Sequence, residues 1–162
     1  MNRPNTRLAK LISISPGEHP RLPAHPHRIP AMNGETSLEK LLQSMKPELN
    51  DGEYVFVTGI DPMSLPDVEV VGSFKEREGW TVILQRSSAD ALKLPYSYVC
   101  AWITLTVHSS LEAVGLTAAF ATALGKAGIS CNVMAAYYHD HIFVGVNDAQ
   151  NAMAVLNALS RQ

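Results

Sequence analysis

Cysteine is scarce in this chain: 162 residues contain two, Cys100 and Cys131. Two thiols cannot form the framework of bridges that holds a small secreted scaffold together, so the expected compartment is reducing and cytoplasmic. No apolar run approaches the ~20 residues that a membrane-spanning helix needs. The amino terminus has no uninterrupted apolar stretch ahead of a small-residue cleavage site, so neither a membrane protein nor a secreted precursor is expected. Also missing are the phosphate-cradling GxxxxGK[ST], GxGxxG, the nucleophile-elbow GxSxG, CxxC and HExxH. The expectation is a non-catalytic protein with no cofactor and no resident metal.

Charge is low, at 17% of residues, and unevenly placed. Residues 1–32 carry Arg3, Arg7, Lys10, Arg21 and Arg28 against Glu18, a balance of +4, which leaves −6 for residues 33–162. A body that acidic has no electrostatic reason to hold a phosphate backbone, which argues against nucleic acid as its ligand. Residues 1–32 also hold six of the ten prolines and three histidines, His19, His25 and His27. The prolines interrupt any helix or strand, and the segment is expected to be a disordered tail. A metal-binding tract is the other reading of its histidines.

The body is expected to begin at Thr36. Thr36 with Glu39 reads as a capping box opening a helix over Leu38, Leu41, Leu42 and Met45, which Pro47 ends. Glu53–Thr58 reads as a strand, and Val68–Lys75 with Trp80–Gln85 as a hairpin around Glu76–Gly79. Ser87 is expected to cap a short helix to Leu92. Val99–Val107 alternates apolar Val99, Ala101, Ile103, Leu105 and Val107 with Cys100, Trp102, Thr104 and Thr106, which predicts one core face and one semi-polar face.

Ser109 with Glu112 forms a second capping box, predicting a helix to about Ala127 that buries Leu111, Val114, Ala118, Ala121 and Leu124 and stops at Gly128. Ile129–Ala135 and His141–Val146 read as a hairpin. A last helix opening at Asn147 would bury Ala149, Met153, Leu156 and Leu159.

From Val99 onward the order is strand, helix, strand, strand, helix: a ferredoxin-like α+β arrangement whose final strand is missing. Such a sheet would present an unpaired edge. The expectation is that the strand at 53–58 completes it, so that a first module, 36–96, interlocks with a second, 97–162.

The chemistry has two focal points. The start of a helix after His108 displays unpaired backbone amides and a partial positive charge, which attract a carboxylate. Gly115 sits early in that helix, where glycine costs about 1 kcal/mol relative to alanine. Either close approach of a ligand or tight packing on the sheet explains it. The second focus is His139-Asp140-His141, which reads as a polar turn, as part of a metal site with His108, or as a group binding an organic ligand. An anionic end at the helix start and a cationic end near Asp140 describe a zwitterion, that is, an amino acid.

The stretch AWITLTVHSSLEAVGLTAAFATALGKAGISCNVMAAYYHDHIFVGV resembles the ACT domain, a ferredoxin-like regulatory module that binds amino acids. Its marks here are Gly115-Leu116 early in the helix and Ala127-Gly128-Ile129-Ser130 opening the next strand. The likeness is to tandem-ACT proteins related to aspartate kinase regulatory domains and to cytosolic arginine sensors. In that group a hairpin such as GSFKEREGWTVIL precedes the second module.

The resemblance implies two modules in tandem, antiparallel sheets with helices on one face, and allosteric ligand binding between modules. By position it points to Ser109, Ser110, Leu111, Val114, Gly115 and Leu116, with Asn132 and Val133 facing them. Asp140 matches the place of an acidic residue that contacts the ligand side chain in the arginine sensors. The expected partners are an amino acid and either a second copy in a homodimer or a regulated protein. Two other functions stay open: an interaction module of the same fold with no ligand, and a metal-dependent hydrolase using His108, His139 and His141.

Overall fold

The computed structural model describes residues 35–107 and 113–161, all within one unit spanning Asn33–Gln162. The elements follow in the order α1 (Leu38–Ser44), β1 (Pro47–Leu49), β2 (Tyr54–Thr58), a 3-10 turn (Pro62–Ser64), β3 (Val70–Lys75), β4 (Trp80–Gln85) and α2 (Arg86–Ala91). Then come β5 (Val99–Leu105), α3 (Leu116–Lys126), β6 (Cys131–Ala135), β7 (Asp140–Gly145), a 3-10 turn (Val146–Asp148) and α4 (Ala149–Leu159). The tail at 1–32 and the box of Ser109 and Glu112 lie outside the described residues.

All seven strands belong to one antiparallel sheet in the order β3-β4-β2-β5-β7-β6, with β1 paired to β5. The outer edge of β5 is shared. Pro47–Leu49 pair with its last three residues, Leu105, Thr104 and Ile103, while Tyr54 and Val55 pair with its first two, Cys100 and Val99. Between them Asn50 bridges the gap: its backbone N–H donates to the Trp102 carbonyl at 2.9 Å, and its side-chain amide reaches the same carbonyl at 3.1 Å and Thr104 Oγ1 at 3.0 Å. β1 was invisible in the sequence because Pro47 reads as a helix stop. Proline is also tolerated as the first residue of an edge strand, where its missing N–H costs no ladder bond.

The helices cover one face of the sheet. Ala101, Ile103, Leu105, Ile142 and Val144 from the strands meet Leu41 and Met45 of α1, Leu116, Phe120 and Leu124 of α3, and Ala152 and Leu156 of α4. Farther along the same face, Val55, Val57, Val82 and Leu84 are buried together with Ala89 of α2. Each large apolar side chain buried here contributes about 1.5–3 kcal/mol.

The opposite face carries Thr104 and His141, in keeping with the semi-polar alternation of β5, but it also holds an apolar cluster that the alternation does not show. Tyr54, Ile83, Cys100 and Phe143 are buried there, with Phe56, Val71, Trp102 and Met134 packed against them. The sheet achieves this by curling until its outermost strands meet. β3 carries a bulge between Val70 and Gly72, and a Cβ built on Gly72 would lie 3.5 Å from Met134 Sδ and Cε of β6. Inside the curl, Tyr54 meets Trp102 and Phe56 meets Phe143 edge to face, each pair with centroids 5.3 Å apart, while Trp102 stacks on Phe143 at 6.2 Å. Such pairs add about 0.5–1.5 kcal/mol each beyond their buried area.

Several local expectations are corrected. The Thr36–Glu39 capping box does not form. The N-cap of α1 is Ser37 with no side-chain cap bond, and Glu35 Oε1 instead accepts from the backbone N–H of Thr36 and Ser37, both at 2.8 Å. Ser87 lies inside α2 and caps nothing, because the chain enters the helix directly from β4 at Gln85.

The first helical residue of α3 is Leu116, so its buried stripe is Leu116, Phe120 and Leu124. Val114 is 84% exposed and Ala118 is also exposed. The apolar positions 116, 120 and 124 already mark that stripe at helical spacing. Of the residues expected to be buried on α4, Ala149 and Leu156 are, while Met153 and Leu159 are half-buried beside Ala152. Among the described residues no helix is long and apolar enough to cross a membrane.

Candidate functional site

The start of α3 is built by Gly115. Its φ of 104° lies in the left-handed region that β-carbons disfavour, and with no side chain it makes no cap bond. Gly115 therefore gives the first amides of α3 no cap from its own side chain. A Cβ built on Gly115 would lie 3.1 Å from Leu38 Cδ2, so α1 packs directly over this glycine. That contact was missed, although Leu38 belongs to the first apolar stripe of the body. A shallow groove of about 800 Å3 runs from this point between α1, α3 and α4, lined by Leu38, Leu42, Gly115, Ala119, Ala123, Lys126, Val155 and Leu159 among others.

The sequence reads Asp140 as part of a polar turn, and the structure corrects this. It is the first residue of β7, paired with Leu105 of β5 and Ala135 of β6, and only 6% exposed. The sheet register, not the turn, fixes it. Its carboxyl is pushed above the usual aspartate range by burial, partly offset by the nearby charge of His139. The pairing puts Asp140 on the helix-facing side, at the end of β5 from which the chain leaves for α3.

The remaining expected residues divide between the two faces. Leu116 is 3% exposed and belongs to the core, and Val114 points into solvent. Val133 pairs with Ile142 on the helix-facing side, whereas Asn132 pairs with Phe143 on the inner side of the curl. Alternation separates these neighbours, so they cannot face one ligand together. Ser109, Ser110 and Leu111 lie outside the described residues, as does His108.

The same alternation separates His141 from Asp140. His141 points to the inner side, where its Nδ1 accepts from Trp102 Nε1 at 3.1 Å and lies 3.3 Å from Thr104 Oγ1. Burial, with the charge of His139, holds its pKa below the ordinary histidine value. His139 Nδ1 is buried without a hydrogen-bond partner among the described residues. Nor do three His, Cys, Asp or Glu side chains converge among those residues to hold a metal ion. Cys100 donates to the Tyr54 carbonyl at 3.1 Å, and burial pushes its thiol up to about 12. A thiol so held is a core group and not a nucleophile.

An ACT-domain family model matches residues 33–101 and a second matches 97–158, the two overlapping at the start of β5. No curated protein matches the sequence.

Among solved structures, a Vibrio cholerae protein of unknown function, described as a possible transport protein, is similar at 50% identity and a TM-score of 0.70. The match covers 77% of this chain and 97% of that one. The regulatory subunit of aspartate kinase from Thermus thermophilus shares the fold at 8% identity, with a TM-score of 0.50 over 72% of this chain and 98% of that one. Aspartokinase III from E. coli does so at 10% identity and a TM-score of 0.53, over 72% of this chain and 33% of that one. The two matches in tandem, on a curled antiparallel sheet with its helices on one face, place this chain in the ACT-domain family.

Proposed function

We propose that this protein is a non-catalytic cytoplasmic regulator that binds an amino acid at the start of α3. Its modules, 36–96 and 97–162, share the outer edge of β5, so that neither is complete alone. The observation that carries this reading is Gly115: a left-handed cap with no side chain of its own to bond the first amides of α3, groups that attract a carboxylate. Asp140, at the same end of β5, supplies the acidic group for the other end of a zwitterion. A cationic group facing it would favour the ionised form that burial disfavours. Ser109, Ser110 and Leu111 would line the approach. Val133 shares the side of Asp140, whereas Asn132 does not, and it is left out of the proposed contact set. Binding would then shift the balance between two arrangements of the modules, or between a homodimer and a regulated partner.

The test is a thermal-shift panel of the twenty amino acids at millimolar concentration. A ligand at ten times its Kd stabilises by about 1.4 kcal/mol, a rise of about 3–5 °C for a unit of this size. A second reading, an interaction module that keeps the fold without the ligand, is favoured by Leu38, whose Cδ2 fills the space against Gly115. A flat response to all twenty would select that reading and remove the sensor.

A further inference from the structure

The curled sheet opens at one end, between its edge strands β3 and β6. We propose that this mouth is a second binding site, for a small organic cation: a primary ammonium carried on a compact apolar body. The hollow encloses about 430 Å3, within the range of about 300–1,000 Å3 typical of small-molecule pockets. Its floor is apolar, formed by Phe56, Ile83 and Met134. At the rim stand Phe74, Thr81 and Glu76.

Phe74 pairs with Thr81 across the hairpin and is 63% exposed, an aromatic ring left in water beside an apolar hollow. The Thr81 hydroxyl donates to Glu76 Oε1, which fixes the carboxylate across the hairpin and leaves its second oxygen for a guest. Among the described residues Glu76 is the one charged side chain lining the hollow, and none of their ion pairs engages it. The adjacent Lys75 is turned to the other face, its Nζ 5.7 Å from the centroid of the Trp80 ring, so it does not neutralise that charge.

A fixed carboxylate and an aromatic ring lining one hollow are the pairing that recognises an ammonium, through a charge-assisted hydrogen bond and cation–π attraction. The floor takes the hydrocarbon. An anion finds no Lys, Arg or His among the described residues of the lining, and a neutral apolar guest leaves the carboxylate unused.

Three probes with one carbon skeleton separate these cases: isopentylamine, isopentanol and 3-methylbutanoate, each titrated into the full chain and followed by amide NMR. The amine should perturb the Phe74, Glu76, Thr81 and Met134 signals and bind about tenfold more tightly than the alcohol, with the carboxylate weakest. Glu76→Gln, at an exposed position, should bring the amine down to the alcohol with an unchanged melting temperature. Thr81→Val should weaken the amine in the same direction by releasing the carboxylate. Equal binding of all three probes, no perturbation at millimolar concentration, or perturbation centred on Asp140 instead would overturn the assignment. None of these outcomes depends on whether an amino acid binds at Gly115.

Discussion

Replacing Leu41 with alanine should destabilise the whole unit 33–162 at once. Leu41 sits on α1, early in the chain, yet it is fully buried among Ile103, Phe120, Leu124 and Leu156, all of which come at least 60 residues later. Loss of a buried leucine side chain costs about 2–5 kcal/mol, with the larger values where surrounding structure cannot collapse into the cavity. Here collapse is restrained, because β1 follows α1 almost directly and is locked to β5 through Pro47, Glu48 and Leu49. A loss of about 3 kcal/mol is therefore expected, and with an m-value of about 2 kcal/mol/M the urea midpoint should fall by about 1.5 M. The assay is urea unfolding followed by fluorescence in Trp80→Phe and Trp102→Phe backgrounds, so that Trp102 inside the curl and Trp80 beside the α2 core report separately. Both signals should shift together. If the midpoint hardly moves, or the Trp80 signal keeps its original midpoint while the Trp102 signal drops, the halves are not interlocked and the description of a shared sheet edge is mistaken.

Gly115→Ala places a β-carbon at φ 104° and 3.1 Å from Leu38 Cδ2, so a loss of about 1–3 kcal/mol is expected in chemical unfolding; a neutral or stabilising result would contradict the left-handed cap. Asp140 gives a pH signature with a definite sign. Because burial raises its pKa above the ordinary value of 3.8, its favourable contribution is complete below that value and is lost as pH rises through the raised one. Asp140→Asn should accordingly be more stable than the parent at neutral pH and converge with it in acid. A gap that widens on acidification would refute the burial argument.

The fold was largely legible in the sequence because its signals are local. Period-two alternation marks β5, β-branched and aromatic runs beside turn residues mark β2 and β4, and helical spacing marks α1 and α4. What could not be read were features created by distant pairing. β1 is three residues long and begins with proline, so nothing local distinguishes it from a loop; only β5, more than 50 residues away, makes it a strand. The inner aromatic core was hidden for the same reason. Trp102 reads as the semi-polar side of β5 until the bulge at Gly72 brings β3 over to Met134.

In the site, the sequence places Gly115 early in a helix; the structure puts it at the N-cap, where its positive φ accounts for a glycine. Asp140 falls between the two strands that the sequence marks as a hairpin and so reads as turn, while its burial is set by its partners Leu105 and Ala135. The separation of Asn132 from Val133 follows from alternation alone and was available beforehand.

The most direct test of the regulatory reading is an amide NMR titration of the full chain with whichever amino acid raises its melting temperature most. Perturbations should concentrate at Gly115, Leu116 and Asp140 and at the residues numbered 108–112, leaving Phe74 and Thr81 unchanged. Saturable binding that leaves those positions untouched, or the absence of any saturable binding, would contradict it.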